Sequence, residues 1–270
     1  MEPPFAHHRL AAALAGQEIG HTIVFHAETS STNDEARRLA EEGHPHGVVV
    51  CADHQTAGRG RRGAEWFSPP RRNLLLSVLL RPAAPAALWT RLTHLAALAV
   101  AEAVESACPG QAAQIKWPND IYLSGRKVAG LLLESVFPAS RPPFAVLGLG
   151  LNVNLAFREL PPELRAVTTS LAIESGGPVS REAVAAAFLR ALGRRAGQVE
   201  GDFAGPLKEL RRRSWLLGKN IRALAGGREV RGLAEGLGPG GELLVRVETG
   251  ERLTLSSADG VRPLDAPAPR

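Results

Sequence analysis

Cysteine is almost missing from this chain, with Cys51 and Cys108 its only thiols in 270 residues. One lies in an apolar run and the other beside Pro109-Gly110, without metal-ligand spacing or a disulfide framework. Both are read as ordinary thiols. No apolar run reaches membrane length, and the opening Met1-Glu2-Pro3-Pro4-Phe5-Ala6-His7-His8 has no basic region followed by an apolar one. The expectation is a soluble, cytoplasmic protein. Lysine is scarce too: of 32 basic residues only Lys116, Lys127, Lys208 and Lys219 are lysines, and arginine supplies the rest. Where arginine is used nearly everywhere, a retained lysine marks a place for a compact ammonium.

What is present describes a globular chain, 44% apolar and 22% charged, long enough for one sizeable domain and a small one. Its formal charge of +5 suits nucleic acid, phosphate ligands or an acidic protein, and does not choose among them.

The organising stretch is Gly58-Arg59-Gly60-Arg61-Arg62-Gly63, between the strand-like Val48-Val49-Val50-Cys51-Ala52 and Trp66-Phe67-Ser68-Pro69-Pro70. Its glycines permit close backbone approach to an anion and its arginines add fixed positive charge. A phosphate-gripping loop and a mobile basic surface loop both fit. The spacing G-x-G-x-x-G also matches a dinucleotide fingerprint, but that requires a helix to follow directly. Pro69-Pro70 and the strand-like Asn73 to Leu80 follow instead, which argues against a Rossmann unit.

Along the chain, residues 1–20 allow at most one short helix, too little for a helix-turn-helix. Ile23 to Ala27 reads as a strand. Thr32 and Glu35 have capping-box spacing for a helix ending near Gly43, although Ser31, Thr32 and Asn33 at its start also offer donors to a polar ligand. Helical spacing from Leu88 to Val104 predicts a long amphipathic helix. Gln114 to Glu134 reads as a β-hairpin turning at Ser124-Gly125, with Pro118 at a bend or edge. It gathers Lys116, Asn119, Asp120 and Lys127, which fit either a solvated face with an Asp120–lysine ion pair or a polar site. Phe144 to Leu151 is a strand whose Gly148 and Gly150 signal close approach of a ligand or a neighbouring element. Glu182 to Gly197 and Phe203 to Arg213 look helical, and Arg211-Arg212-Arg213 reads as a solvated helix end. From Trp215 onward, short alternating strands separated by glycine turns predict a small β-barrel of SH3-like size. The tail Asp265 to Arg270 is expected to fray.

Taken together, Ser31-Thr32-Asn33, the stretch Gln55 to Gly63 with Trp66-Phe67-Ser68-Pro69, Lys116-Trp117-Pro118-Asn119-Asp120, Lys127-Val128-Ala129-Gly130 and Gly148-Leu149-Gly150-Leu151-Asn152 resemble biotin protein ligases in order and spacing. The resemblance implies an α+β fold: a mixed β-sheet catalytic domain with packed helices, akin to class II aminoacyl-tRNA synthetases, over residues 21–214. An SH3-like domain would follow over residues 215–270, with a short segment 1–20 in front. It implies that ATP and biotin, with Mg²⁺ accompanying the ATP, form biotinyl-5′-AMP, and that biotin then passes to a lysine of a biotin carboxyl carrier protein domain.

Carried onto this sequence, the biotin site would comprise Ser31, Thr32, Asn33, Gln55, Arg59, Gly60, Arg61, Lys127 and Gly130. The nucleotide site would comprise Gly58, Arg59, Arg61, Lys127 and Asn152. Lys127 and Arg61 would be catalytic, with no dedicated metal site, and Trp66 would pack across the ligand. Only about 20 residues precede the first strand, so a monofunctional ligase without a DNA-binding domain is expected, and no nucleic-acid or membrane partner. A lipoate-type ligase is the nearest alternative and a nucleic-acid-binding regulator a remote one. The sequence fits a monomer or a homodimer equally.

Overall fold

Alternation of side chains about the strands sorts the apolar residues into two layers, and that sorting sets where each helix lies. The computed structural model describes residues 3–264, so the tail expected to fray lies outside the described residues. In chain order the first half comprises α1 (His7–Ala13), β1 (Ile23–His26), α2 (Thr32–Glu41), β2 (Val49–Ala52), β3 (Asn73–Leu80), α3 (Thr90–Ala107), β4 (Gln114–Lys116), β5 (Asp120–Leu123) and β6 (Arg126–Val136). There follow β7 (Phe144–Asn152), α4 (Leu171–Ser175), α5 (Arg181–Ala196), α6 (Ala204–Arg213), β8 (Asn220–Ala225), β9 (Arg228–Leu237), β10 (Leu243–Arg246), β11 (Arg252–Leu255) and β12 (Asp259–Pro263).

The first seven strands form one sheet in the order β1-β2-β3-β7-β6-β5-β4. Only β1 and β2 run parallel, so the sheet is mixed as expected. Leu74, Leu76, Val78 and Leu80 of β3, with Leu147, Leu149 and Leu151 of β7, face a large core shared with α3 and α5. The opposite face buries Val50, Leu79 and Val146 under Ala36, Leu39 and Ala40 of α2. Period-two alternation therefore puts Ser77, Gly148 and Gly150 on the α2 side, where the cleft opens. The hairpin turns at Ser124 (φ 49°) and Gly125 (φ 74°), two left-handed residues as a tight two-residue loop requires. Pro118 follows a cis peptide bond just beyond the edge strand β4.

Three expectations change. The capping box does not form: Ser31, not Thr32, is the N-cap of α2, and no side-chain cap bond is made there. Gln55 closes the helix end from outside, its Oε1 accepting from Thr32 N (2.8 Å) and Thr32 Oγ1 (2.9 Å). Arg213 is no solvated helix end, because its guanidinium is buried between Glu105 and Glu209. Arg211 donates to the Leu237 carbonyl at 2.6 Å, docking the last helix onto the C-terminal sheet. That sheet is antiparallel in the order β11-β10-β9-β8-β12, and β12, which the alternation did not flag, completes it.

Candidate active site

A cleft of about 540 Å³ lies on the α2 face of the large sheet, walled by the glycine–arginine loop, the turn after β4 and the 258–261 segment of the C-terminal sheet. Its floor is made by absence of side chains. Gly130 and Gly150 are direct cross-strand partners on β6 and β7, and Gly148 lies opposite Ser77 of β3. A Cβ on Gly150 would fall 2.4 Å from Cε2 of Trp66, and one on Gly148 would fall 2.3 Å from Oδ1 of Asn33. The glycines thus admit two side chains of the protein itself. Trp66 lies over the first bare patch with its indole N–H buried and unpartnered among the described residues, and Lys127 Nζ stands 5.3 Å from its ring centroid.

At one end of the cleft the start of α2 is wired into a polar network. Ser77 Oγ is within hydrogen-bond distance of Thr32 Oγ1 (2.8 Å) and Asn33 Oδ1 (2.6 Å), so its single proton serves one of two acceptors. Asn33 Nδ2 donates to Glu134 Oε2 at 2.6 Å. Gly58 approaches so closely that a Cβ there would meet Gln55 Nε2 at 2.8 Å. A donor and acceptor array of this kind is suited to a neutral polar group with both donors and acceptors.

The rest of the cleft is cationic, and its cations are paired within the chain. Arg59 grips Asp34 bidentately at 2.8 and 2.5 Å and reaches Glu134 at 3.4 Å. The Arg59 hydrogen bond, opposed by partial burial, holds the Asp34 carboxyl below its usual range, and the same contact raises Arg59. Arg61 donates to the Ala258 carbonyl at 3.1 Å, and Arg61 and Arg62 lie 3.6 and 2.5 Å from Asp259. Lys127 pairs with Asp120 at 2.7 Å, and Lys116 lies 4.0 Å from the same residue. Burial pushes the Lys116 ammonium down, against the pull of Asp120. The loop itself is closed rather than loose: Gly60 N donates to Ala64 O at 2.6 Å and Trp66 N to Gly58 O at 3.0 Å. Arg62 (φ 54°) and Gly63 (φ 74°) turn it through the left-handed region.

Ser31, Thr32, Asn33, Gln55, Arg59, Gly60, Arg61, Lys127 and Gly130 all line this one cleft. Gly58 and Asn152 do not. Gly58 packs behind Gln55, and buried Asn152 donates to the Thr169 carbonyl at 3.0 Å beside a separate lobe of about 120 Å³ shared with Trp66 and Lys127. The predicted set omits Lys116, Asp120, Glu134, Ser77 and Asp259. The first two had a signal, a rare lysine and an acid in the same hairpin. The others did not, since their roles arise from strand register and from contact with a distant sheet.

Such a cleft can hold two anions together with a neutral polar group and shield them from water. The Biotin/lipoate A/B protein ligase family profile matches residues 25–152, and the Biotin protein ligase C terminal domain profile matches residues 216–259. The chain is 35% identical over 97% of its length to the biotin--[acetyl-CoA-carboxylase] ligase of Mycobacterium tuberculosis, covering 97% of that protein. It is 34% identical to the bifunctional ligase/repressor BirA of Bacillus subtilis, over 88% of this chain and 73% of that one. Its fold is similar to that of a biotin protein ligase from Aquifex aeolicus solved in complex with biotin and ATP. The TM-score is 0.77 at 29% identity, over 90% of this chain and 99% of that chain.

Proposed function

The chain belongs to the biotin/lipoate A/B protein ligase family, and from that membership we propose that it joins biotin to a lysine of a biotin carboxyl carrier protein by way of biotinyl-5′-AMP. The observation that carries this reading is the single cleft in which a neutral donor–acceptor array meets Arg59, Arg61 and Lys127. Thr32 and Asn33, held by Ser77 and Glu134, and Gln55, bonded to Thr32, would take biotin's polar ring, with Ser31 and Gly130 beside them. Lys127, now paired with Asp120, would exchange that carboxylate for biotin's carboxylate and the α-phosphoryl group. Arg59, Gly60 and Arg61 would hold the phosphates, with Gly58 shaping the loop from behind. Asn152, in the lobe beside Trp66 and Lys127, is assigned to the nucleotide end.

The first step needs two anions brought together against their repulsion. Fixed cations and preset geometry lower that barrier, so positioning and electrostatic stabilisation are the work assigned to Lys127 and Arg61. Attack of the biotin carboxylate oxygen on the α-phosphorus expels pyrophosphate, and the acceptor lysine then attacks the anhydride carbonyl and expels AMP. Between the steps the anhydride must stay dry, a task suited to Trp66 and the closed loop. Mg²⁺ enters as part of the ATP substrate, neutralising the triphosphate. The reading also assigns residues 21–214 to catalysis and 215–270 to a C-terminal unit, in a cytoplasmic ligase that leaves nucleic acid alone. Among the described residues no helix is long and apolar enough to cross a membrane.

Biotin-dependent ATP–pyrophosphate exchange, run in parallel with lipoate, tests the proposal. Exchange with biotin and little with lipoate is expected; a preference for lipoate, or no exchange with biotin, overturns it.

A further inference from the structure

The cavity beside the cleft, about 690 Å³, runs between the β4–β5 edge of the catalytic sheet and the face formed by β8 and β12. Its apolar floor includes the Trp215 and Tyr122 rings, tilted together at 4.7 Å between centroids, and Val167 and Leu224 stand exposed at the rim. Above the floor are Arg222 and Arg262, direct cross-strand partners on β8 and β12 and therefore on one face. Among the described residues neither guanidinium has an ion pair or hydrogen bond. Glu229, also at the groove, is taken up by Arg231.

The same sheet holds an internal comparison. Arg246 and Arg252 are likewise direct partners, on β10 and β11, and Glu235 bridges both. Like charges placed opposite one another destabilise a sheet, and in that second pair the chain supplies the neutralising carboxylate. Among the described residues Arg222 and Arg262 have no such carboxylate, which leaves two guanidinium groups on one face of the groove to receive an anion. A free phosphate would leave Trp215, Val167 and Leu224 facing water. An acidic protein surface bearing an apolar residue satisfies both halves of the groove. The groove also runs into the reaction cleft, with which it shares Lys116, Asp259, Gly260 and Val261.

We propose that this groove docks the acceptor protein, an acidic carrier surface whose carboxylates lie between Arg222 and Arg262 while an apolar neighbour covers Trp215 and Leu224, so that its lysine enters the cleft past Lys116. The proposal rests on the ligase reading, and the two are separable because adenylate formation needs no acceptor.

The test is the double variant Arg222→Glu/Arg262→Glu of the full chain, assayed with a recombinant apo biotin carboxyl carrier domain. Exchange, and trapping of the adenylate by hydroxylamine as biotin hydroxamate, should match the wild type, while KM for the carrier rises about tenfold or more. Wild-type carrier KM should rise with salt, and Arg222→Lys/Arg262→Lys should restore most of the loss. If the charge reversal prevents folding, Arg222→Gln/Arg262→Gln and the wild-type salt series decide. An unchanged carrier KM overturns the proposal. So does a parallel loss of exchange, or a wild-type dimer that the double variant abolishes without affecting carrier KM. Absence of exchange in the wild type overturns the ligase reading and this one with it.

Discussion

Lys127 and Asp120 hold each other at 2.7 Å in a chain that has few lysines. A small mobile ammonium can leave one carboxylate for another anion with little rearrangement, which a bidentate guanidinium cannot do as readily. Lys127→Ala should slow biotin-dependent pyrophosphate exchange by about 10²–10³, the usual effect of losing a charge-stabilising donor, while Tm changes little. An unaltered exchange rate removes the residue from the mechanism. His94 makes a different prediction. Burial holds its imidazole at about 4 instead of the ordinary 6.5, with Glu242 pulling the other way. The unfolded chain takes up this proton as the pH falls past 6.5, whereas the folded chain refuses it until about 4. Proton uptake by the unfolded state alone means that stability falls with falling pH across that window, by up to about 3 kcal/mol. His94→Gln should flatten the acid limb of urea midpoint against pH. An identical acid limb in the variant assigns the loss to other groups.

At the scale of the element, the strands β6 and β7 carry glycine where the side-chain alternation would put something larger on the cleft face. Gly150→Ala places a Cβ 2.4 Å from a rigid indole, and overpacking of that kind costs about 1–3 kcal/mol. The expected result is a lower Tm and weaker biotin binding, with the Tm loss largely relieved in a Trp66→Ala background. A Tm penalty that persists without the indole shows that the clash lies elsewhere. Elements like these are where the sequence was most readable. The turn at Ser124-Gly125, the apolar faces of β3 and β7 and the close approach at Gly148 and Gly150 all follow from local period and backbone freedom. The start of α2 was misread because its partner, Gln55, lies 23 residues away and competes with the local cap. Arg213 was misread for the same reason, as Glu105 belongs to another helix.

Over the whole molecule, the C-terminal sheet is joined to the catalytic part by specific bonds as well as by a shared core. Trp117 Nε1 donates to the Gly241 carbonyl at 2.9 Å, tying a wall of the cleft to the β9–β10 connection, and Arg61 reaches the Ala258 carbonyl. A Cβ on Gly241, which has φ +94°, would meet the buried His94 ring at 2.4 Å. Calorimetry should therefore show one cooperative transition. Trp117→Phe, which removes the donor, should lower stability by about 1 kcal/mol or more. Two separated peaks in the wild type would mean that the interface is too weak to couple the parts. None of this docking was legible beforehand, because the texture change near Trp215 marks a boundary and says nothing about what crosses it. The indole over the glycine floor has one more consequence. Trp66 is one of four tryptophans and sits beside an ammonium in the space a ligand would occupy, whereas Trp89 and Trp215 lie outside the cleft lining. Filling the cleft moves that ring to a different polarity, so the protein's own ultraviolet fluorescence should shift on ligand capture, and Trp66→Phe should remove most of the shift, leaving what Trp117 in the cleft wall contributes.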